Sequence, residues 1–391
     1  MKKTIIFSIA LMLFASCINE YKIPDTVSES YKEELVIQGR ILSGDNSAIY
    51  ISRTSPFGSK EQLEQFIPNA EVRIISQKGY ESEPAIYNEQ QRQYTLNTAE
   101  LPQGDHYAVK VILDGETYQS EFQPLQDSPE IDSITYKESE DGISIHVTTF
   151  NTEDGGRGYM WTYEEDWEFH ADINFADPAG KFLYNKDKYP VEENKNPYYY
   201  CWGNQKSSDI MIYSTENLKE NSVKEHELLR IPIDDIRISY IYSILVKQWV
   251  LSHDAYRYFK TMKSYTEEAG SLFAPLPSEI MGNMKCTSNP DIKVKGYVIA
   301  SNVVEKRIFI YESDFKKIHS EYENCSWQSN ANWLNWEKAW QDMLNNGTII
   351  VYSTSGKLDE SSILYRKPCF DCMQTKGATK KRPDFWPNNH E

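Results

Sequence analysis

Past Phe14 the chain offers no apolar run long enough to cross a bilayer, so no membrane-spanning helix is expected in the mature protein. Positive charge is also scarce. The 41 Lys and Arg are outnumbered by 58 Asp and Glu, a net charge of −17. That balance makes nucleic acid and anionic lipid surfaces poor partners, and it leaves neutral or basic surfaces and small ligands. Enzyme signatures are missing too. There is no Gly-x-Ser-x-Gly elbow, no His-Glu-x-x-His, no phosphate-cradling glycine loop and no dinucleotide fingerprint. The seven histidines are scattered. No enzyme, cofactor or metal is therefore expected. A hydrolase stays open only through a carboxylate pair, because two carboxylates about 5–9 Å apart suffice for glycoside hydrolysis and sequence spacing does not reveal them.

The chain opens with an export signal. Lys2 and Lys3 precede an apolar run from Thr4 to Phe14, followed by the small residues Ala15 and Ser16 and then Cys17. A cysteine directly after the small-residue site is what a bacterial lipoprotein signal requires, with the thiol acylated and the peptide cut in front of it. Acyl chains contribute about 0.8 kcal/mol per buried CH₂, and more than one makes anchoring stable. Residues 1–16 are thus expected as signal peptide, Cys17 as the lipidated residue and 17–33 as a polar tether. Ordinary cleavage leaving Cys17 free is the alternative. The remaining length exceeds one ordinary core and suggests two domains or more.

Five cysteines follow: Cys201, Cys286, Cys325, Cys369 and Cys372. In an oxidising compartment disulfides are the default use, giving two bridges and one thiol. Cys369 and Cys372 are expected to staple an unperiodic tail, with Cys325 as one partner. Their spacing also suits zinc or a redox motif, although no βαβ pattern and no histidine at finger spacing accompanies it.

From Glu34 short period-two segments recur between turn signals, among them Leu35–Ile37, Ala70–Ile75 and His106–Ile112, and Asp114-Gly115 is a strong hairpin turn. The pattern predicts a mainly β protein of two antiparallel β-sandwich domains (prealbumin/Ig-like). The first spans 34–124; the second, 130–391, follows a Pro-bearing linker and has a disulfide-stapled C-terminal tail. In the second, Ile238–Leu251 reads as a strand that runs into a helix over 252–269. Ser252 caps that helix, and its apolar face is Leu251, Ala255, Tyr258, Met262, Tyr265 and Ala269. Segments 292–300 and 303–310 read as the closing strand pair of this sandwich. Residues 172–200 read as a long loop, and Ala331–Leu344 as a helix with Trp333, Trp336 and Trp340 facing the core, stopped by Gly347.

Aromatic residues are the excess, 13% of the chain. Trp161 and Trp167, then Tyr198, Tyr199, Tyr200 and Trp202, are the candidates for stacking a ligand or anchoring a protein partner. The interleaved acids Glu164, Glu165, Asp166, Glu168, Asp172 and Asp177 read as a solvated strand face rather than a calcium loop.

The stretch YSILVKQWVLSHDAYRYFKTMKSYTEEAGSLFAPLPSEIMGN, the following VKGYVIASNVVEKRIFI and the tail CFDCMQTKGATKKRPDFW resemble the Bacteroidota outer-membrane lipoproteins catalogued as domain of unknown function 4249. ELVIQGRI and NAEVRI fit the same family, and Met284 stands where an aliphatic Ile is common. The resemblance covers nearly all of the mature chain. It implies an outer-membrane, lipid-anchored protein, commonly beside a TonB-dependent receptor of the starch-utilisation type, and it implies no activity. The expected role is an accessory that caps a TonB-dependent transporter or delivers its ligand. A structural or adhesive surface lipoprotein binding other envelope proteins is the alternative.

Overall fold

The computed structural model describes residues 33–43, 46–54, 65–102, 104–176, 181–191, 196–268, 280, 282–315, 325–328, 333–355, 357–358 and 362–387. Cys17 with its expected lipidation, nearly all of the tether, Asp177, Ala269 and Gly270 lie outside these residues. No helix among them is long and apolar enough to cross a membrane. The protein is mainly β, with several sheets, few helices and two disulfides.

The chain opens with β1 (Leu35–Ser43), β2 (Asn46–Arg53), β3 (Gln65–Phe66), β4 (Glu71–Ser76), β5 (Ile86–Asn88), β6 (Gln93–Asn97), β7 (His106–Leu113), β8 (Glu116–Ser120) and β9 (Gln123–Pro124). One sheet runs β5-β6-β2-β1 with β3 on β2; the other runs β4-β7-β8 with β9 on β7. Alternation puts Ile37, Ile49, Ile51, Tyr94 and Leu96 of the first sheet into one core with Val72, Ile74, Val109 and Val111 of the second. Asp114 (φ 53°) and Gly115 (φ 84°) make the two-residue turn between β7 and β8 that their sequence predicts.

Next come β10 (Ile131–Glu138), β11 (Gly142–Phe150), β12 (Gly158–His170), β13 (Phe182–Leu183), β14 (Tyr200–Lys206), β15 (Met211–Ser214), β16 (Ser222–Pro232) and β17 (Ile241–Leu251). β10-β11-β16 form one sheet. It shares a core with a sheet built on β12 and β17, in which Tyr159, Trp161, Tyr242, Ile244 and Val246 meet Ile143, Ile145, Val147 and Ile231. β17 is central, paired along its length with β12.

Helix α1 (His253–Glu268) follows, with Ser252 Oγ accepting from the Ala255 amide at 3.2 Å as its N-cap. Only its first turns are well buried. Leu251 and Ala255 pack with Tyr297 and Ile299, flanked by Tyr256, Tyr258 and Phe259. Met262, expected at the centre of the face, is half-buried and outside that cluster. Ala255→Asp is therefore expected to cost roughly 3 kcal/mol or more, an unpaired charge in a desolvated site. Met262→Asp should stay within about 1 kcal/mol. Denaturant unfolding of the two purified variants checks the order, and an equal loss would return Met262 to the core.

Then come β18 (Met284–Cys286), β19 (Val294–Lys295), β20 (Val298–Asn302) and β21 (Val304–Tyr311). The expected closing pair does not form. β20 lies parallel to β1 and β21 antiparallel to β17, so one nearly continuous strand passes from the first pair of sheets to the second. A tight hairpin needs positive φ in its turn, and no residue from 298 to 311 has it. β19 also runs parallel to β1, while β18 extends the β8 edge, so the first core contains Met284, Cys286, Val298 and Ala300. The all-antiparallel expectation fails at these β1 pairings. The return of the chain beside β1 requires Gly296 (φ 108°), since any Cβ there would collide with the Ile37 carbonyl.

A smaller sheet, β13-β23-β24-β22, is built from β22 (Ser326–Gln328), β23 (Ile349–Tyr352) and β24 (Ile363–Arg366) with β13. Helix α2 (Trp333–Asn345) packs on it through Trp340 and Leu344, and Gly347 (φ 66°) ends that helix as expected. The side chains of Trp333 and Trp336 are outside the described residues. The 172–200 segment is more than a loop, because Phe175 and Tyr189 are buried against Ile350 of this sheet and Phe370 just beyond β24. Disulfides join Cys201 to Cys372 and Cys325 to Cys369. Cys286 is the buried free thiol, enclosed in the first core away from the other four.

Candidate functional site

The aromatic candidates do not form one surface. Trp161 is fully buried, stacked on Tyr159 at 5.9 Å, with Nε1 donating to Gln248 Oε1 at 2.9 Å. It is a core residue: odd positions of β12 face the neighbouring sheet. Tyr198 belongs to the small sheet's core, against Tyr189 at 5.0 Å and Phe175 at 6.2 Å. Trp167 is half-buried, its indole lying over Gly203, where any side chain would collide with it.

Tyr199, Tyr200 and Trp202 do converge, at the Ile241 end of β17. His170 stacks on Tyr199 at 4.8 Å and meets Tyr240 edge-on at 5.5 Å, while Tyr200 lies 5.8 Å from Tyr240. Trp202 packs with Ile241 and with Trp386 from the C-terminal tail. Sequence reading missed Trp386, whose only signal is the aromatic pair ending a cationic run, KKRPDFW.

The tail is fastened stepwise. Cys372 is bonded to Cys201 on β14. Thr379 and Trp202 exchange backbone hydrogen bonds at 2.8 and 2.9 Å. Lys380 Nζ donates to the Tyr200 carbonyl at 3.0 Å and lies 3.1 Å from Cys372 Sγ; desolvation of that ammonium lowers its pKa to about 8. Trp386, 3% exposed, donates Nε1 to Glu168 Oε2 at 2.6 Å. Beside it Phe385 is 45% exposed, with the Arg307 guanidinium 3.7 Å from its ring centre.

The acid run is not a solvated face. Glu165 and Glu168 are fully buried, on opposite faces of β12, because one face meets a sheet and the other is covered by the tail. Glu165 Oε1 accepts from Arg237 Nη1 at 2.9 Å and from the Tyr242 hydroxyl at 2.7 Å, and Oε2 accepts from Gln205 at 2.6 Å. Arg237 also forks onto Asp235 at 3.0 and 2.7 Å. Burial opposes the charge on Arg237, yet the Asp235 hydrogen bonds and the nearby Glu165 hold its pKa above the ordinary value. Burial likewise opposes ionisation of Asp235, and its bonds with Arg237 outweigh this and hold its pKa low. Burial, then Glu165, pushes the Tyr242 phenol well above its usual range. Asp172 is half-buried, and desolvation raises its pKa to about 6.

The outer tail differs in charge from the rest of the molecule. Lys376 and Lys381 are exposed with no acidic partner among the described residues, next to exposed Met373 and Phe385. This end is remote from the first pair of sheets. β21 leaves β20 at Val304 and reaches Tyr311 seven residues later, about 23 Å of strand. Grooves also lie elsewhere, among them one of about 590 Å³ lined by Tyr80, Ile86 and Thr95. One of about 620 Å³ sits between β15, β16 and α1 and is lined by His226, Glu227 and Lys263. Another of about 350 Å³ contains Arg40 over the Trp249 ring at 4.7 Å. Burial, then Lys263, lowers the His226 pKa, which favours the neutral imidazole.

No curated protein matches the chain. The family model described as Domain of unknown function (DUF4249) matches residues 20–307, which takes in both paired-sheet cores and stops short of the tail. The protein belongs to the DUF4249 family.

Proposed function

We propose that the protein is a surface-facing outer-membrane lipoprotein that serves as an accessory of a TonB-dependent transporter, capping it or delivering its ligand. In this reading Cys17 carries the lipid, and the two paired-sheet cores are sandwich modules of the prealbumin/Ig-like kind that act as spacer and docking surface. The observation that carries the reading is the tail. An acidic chain is covalently stapled so as to present exposed Met373 and Phe385 beside Lys376 and Lys381, which have no acidic partner among the described residues, at the end remote from β1. An aromatic and cationic patch on a rigid support suits anchoring to an acidic protein surface better than turnover of a substrate. The buried carboxylates fit the same picture, since Glu165 and Glu168 are taken up by Arg237, Tyr242, Gln205 and Trp386.

The test is recovery from native membranes in mild detergent. The lipidated protein should bring with it an outer-membrane β-barrel, and charge reversal of Lys376 and Lys381 together should release that barrel without altering the unfolding midpoint. Recovery of the protein with no barrel would overturn the proposal.

A further inference from the structure

One cluster is used neither by the aromatic end nor by the cores. Asp172, Cys325 and Cys369 bring a carboxylate oxygen and two sulfurs within 4.8 Å of one another. The backbone fixes the carboxylate there. The Ala171 amide donates to the Tyr199 carbonyl at 2.8 Å, and the Ile173 amide donates to the Cys369 carbonyl at 2.9 Å, so Asp172 is clamped on both sides. Among the described residues nothing donates a hydrogen bond to its carboxylate and no Lys or Arg forms an ion pair with it, the His170 charge being a weaker influence than desolvation. Such a half-buried carboxylate lacks the partner that desolvation makes valuable. Asp172 and Cys325 are half-buried and Cys369 is 6% exposed, so two of the three groups reach the surface.

We propose that these three side chains form a thiol-dependent site for a thiophilic divalent cation, of which Zn²⁺ is the type, and that the Cys325–Cys369 disulfide is its closed state. A dithiol reductant would open it. Two electrons and two protons pass from the reductant to the S–S bond, giving two protein thiols and the oxidised, cyclic disulfide of the reductant. Metal binding then releases the two thiol protons to solvent as two metal–sulfur bonds form. Two thiolates and one carboxylate on a dication leave one negative charge and an open fourth position for water, the arrangement of zinc sites that keep a vacancy. Thiolates select zinc over the oxygen-preferring Mg²⁺ and Ca²⁺. The neighbouring bridge makes the contrast. Cys201 and Cys372 are 0% and 2% exposed, and the Lys380 ammonium lies 3.1 Å from Cys372 Sγ, so a cation beside that pair would be repelled. Disulfide and metal use the same sulfurs and exclude each other, so occupancy follows the redox state.

The experiment is a Zn²⁺ titration of the purified protein against a chromophoric chelator, before and after reduction with a small dithiol removed anaerobically. The oxidised protein is expected to take no Zn²⁺ and the reduced protein one equivalent. Asp172→Asn should weaken binding by the reduced protein at least tenfold while leaving the unfolding midpoint of the oxidised protein unchanged or higher. Paired Cys325→Ser and Cys369→Ser substitutions should abolish binding. Co²⁺ in place of Zn²⁺ should give a thiolate charge-transfer band in the reduced protein alone. Any of the following overturns the proposal: equal binding by oxidised and reduced protein, no binding after reduction, full affinity in Asp172→Asn, or binding that survives the double serine variant. Reduction that unfolds the protein, with near-UV circular dichroism not restored by one equivalent of Zn²⁺, overturns it as well.

Discussion

Arg237→Ala is expected to lower the unfolding free energy by about 3–5 kcal/mol, the range for stripping one partner from a buried ion pair. Arg237 is the cation in contact with Glu165, whose side chain is fully buried, and the two lie 2.9 Å apart. Removing it leaves Glu165 with only the Tyr242 hydroxyl and the Gln205 amide, and Asp235 with no guanidinium. Arg237→Lys should recover little, since one ammonium cannot reproduce the fork onto Asp235 while reaching Glu165. The loss has a pH signature. Asp235 has its folded pKa held below its ordinary value of 3.8, so its contribution is complete above that value and fades as pH falls through the lower folded one. Arg237 has its pKa raised and stays charged throughout, so it adds no pH dependence of its own. The share of the gap between wild type and Arg237→Ala that comes from Asp235 should therefore be flat from pH 5 to 8 and fade in acid below about 3.8. Denaturant unfolding across pH measures it. A loss under about 1 kcal/mol at pH 7 would mean that Glu165 finds water in the variant and that the site is wetter than its burial indicates.

How much of this was legible in the sequence follows from the range of the interactions. Strand period and turn chemistry are local, and there the reading holds: Val72, Ile74 and Ile37 alternate into the core, and Asp114-Gly115 turns as its residue types require. β16 was mostly missed. Its Lys224, Glu225 and Glu227 face water at a sheet edge and hide the buried Val223 and Leu228. The parallel return of β20 beside β1 was missed because adjacency in sequence favours a hairpin and Ser301-Asn302 are residue types that turns use, so nothing local argues against one. The acid run was misread for a different reason. Glu165 is neutralised from 72 residues away and Glu168 is capped from 218 residues away, distances at which no pattern operates. The aromatic candidates divided in the same way. Trp161 followed the β12 period into the core, whereas Tyr199, Tyr200 and Trp202 gained their meaning from a tail with no period at all. Its staples were readable from cysteine chemistry, and Cys286 was set apart only by being folded into the first core.

Removing the Cys201–Cys372 bridge, by serine at both positions, is expected to destabilise the protein by roughly 3–5 kcal/mol in the chain-entropy model. The bridge closes a loop of 171 residues, against 44 for Cys325–Cys369. With the logarithmic dependence on loop length, the longer loop should stabilise by about 1 kcal/mol more than the shorter. The consequence is not confined to the unfolded state. Without the bridge the tail is fastened by the Cys372 amide on the Tyr198 carbonyl, and beyond residue 378 by the Thr379–Trp202 pair, the Lys380 contact with Tyr200 and the Trp386–Glu168 hydrogen bond. Each opening of that segment exposes Glu168 to water, which solvates a carboxylate well, so the opened state is favoured relative to the bridged protein. Trypsin reports this directly, because Lys376, Lys380 and Lys381 all lie in the tail. Cleavage there should accelerate in the double serine variant at denaturant concentrations where the bulk fold is intact, with cleavage at Lys247 in β17 unchanged. Restoring the bridge while replacing Trp386 with Ala separates the two fastenings. If the disulfide is the dominant one, that variant keeps its protease resistance up to residue 376 and frays only beyond it. Equal resistance of the double serine variant and the wild type would show that Trp386 and its bond to Glu168 hold the tail unaided, and the stapling role assigned to Cys372 would fall.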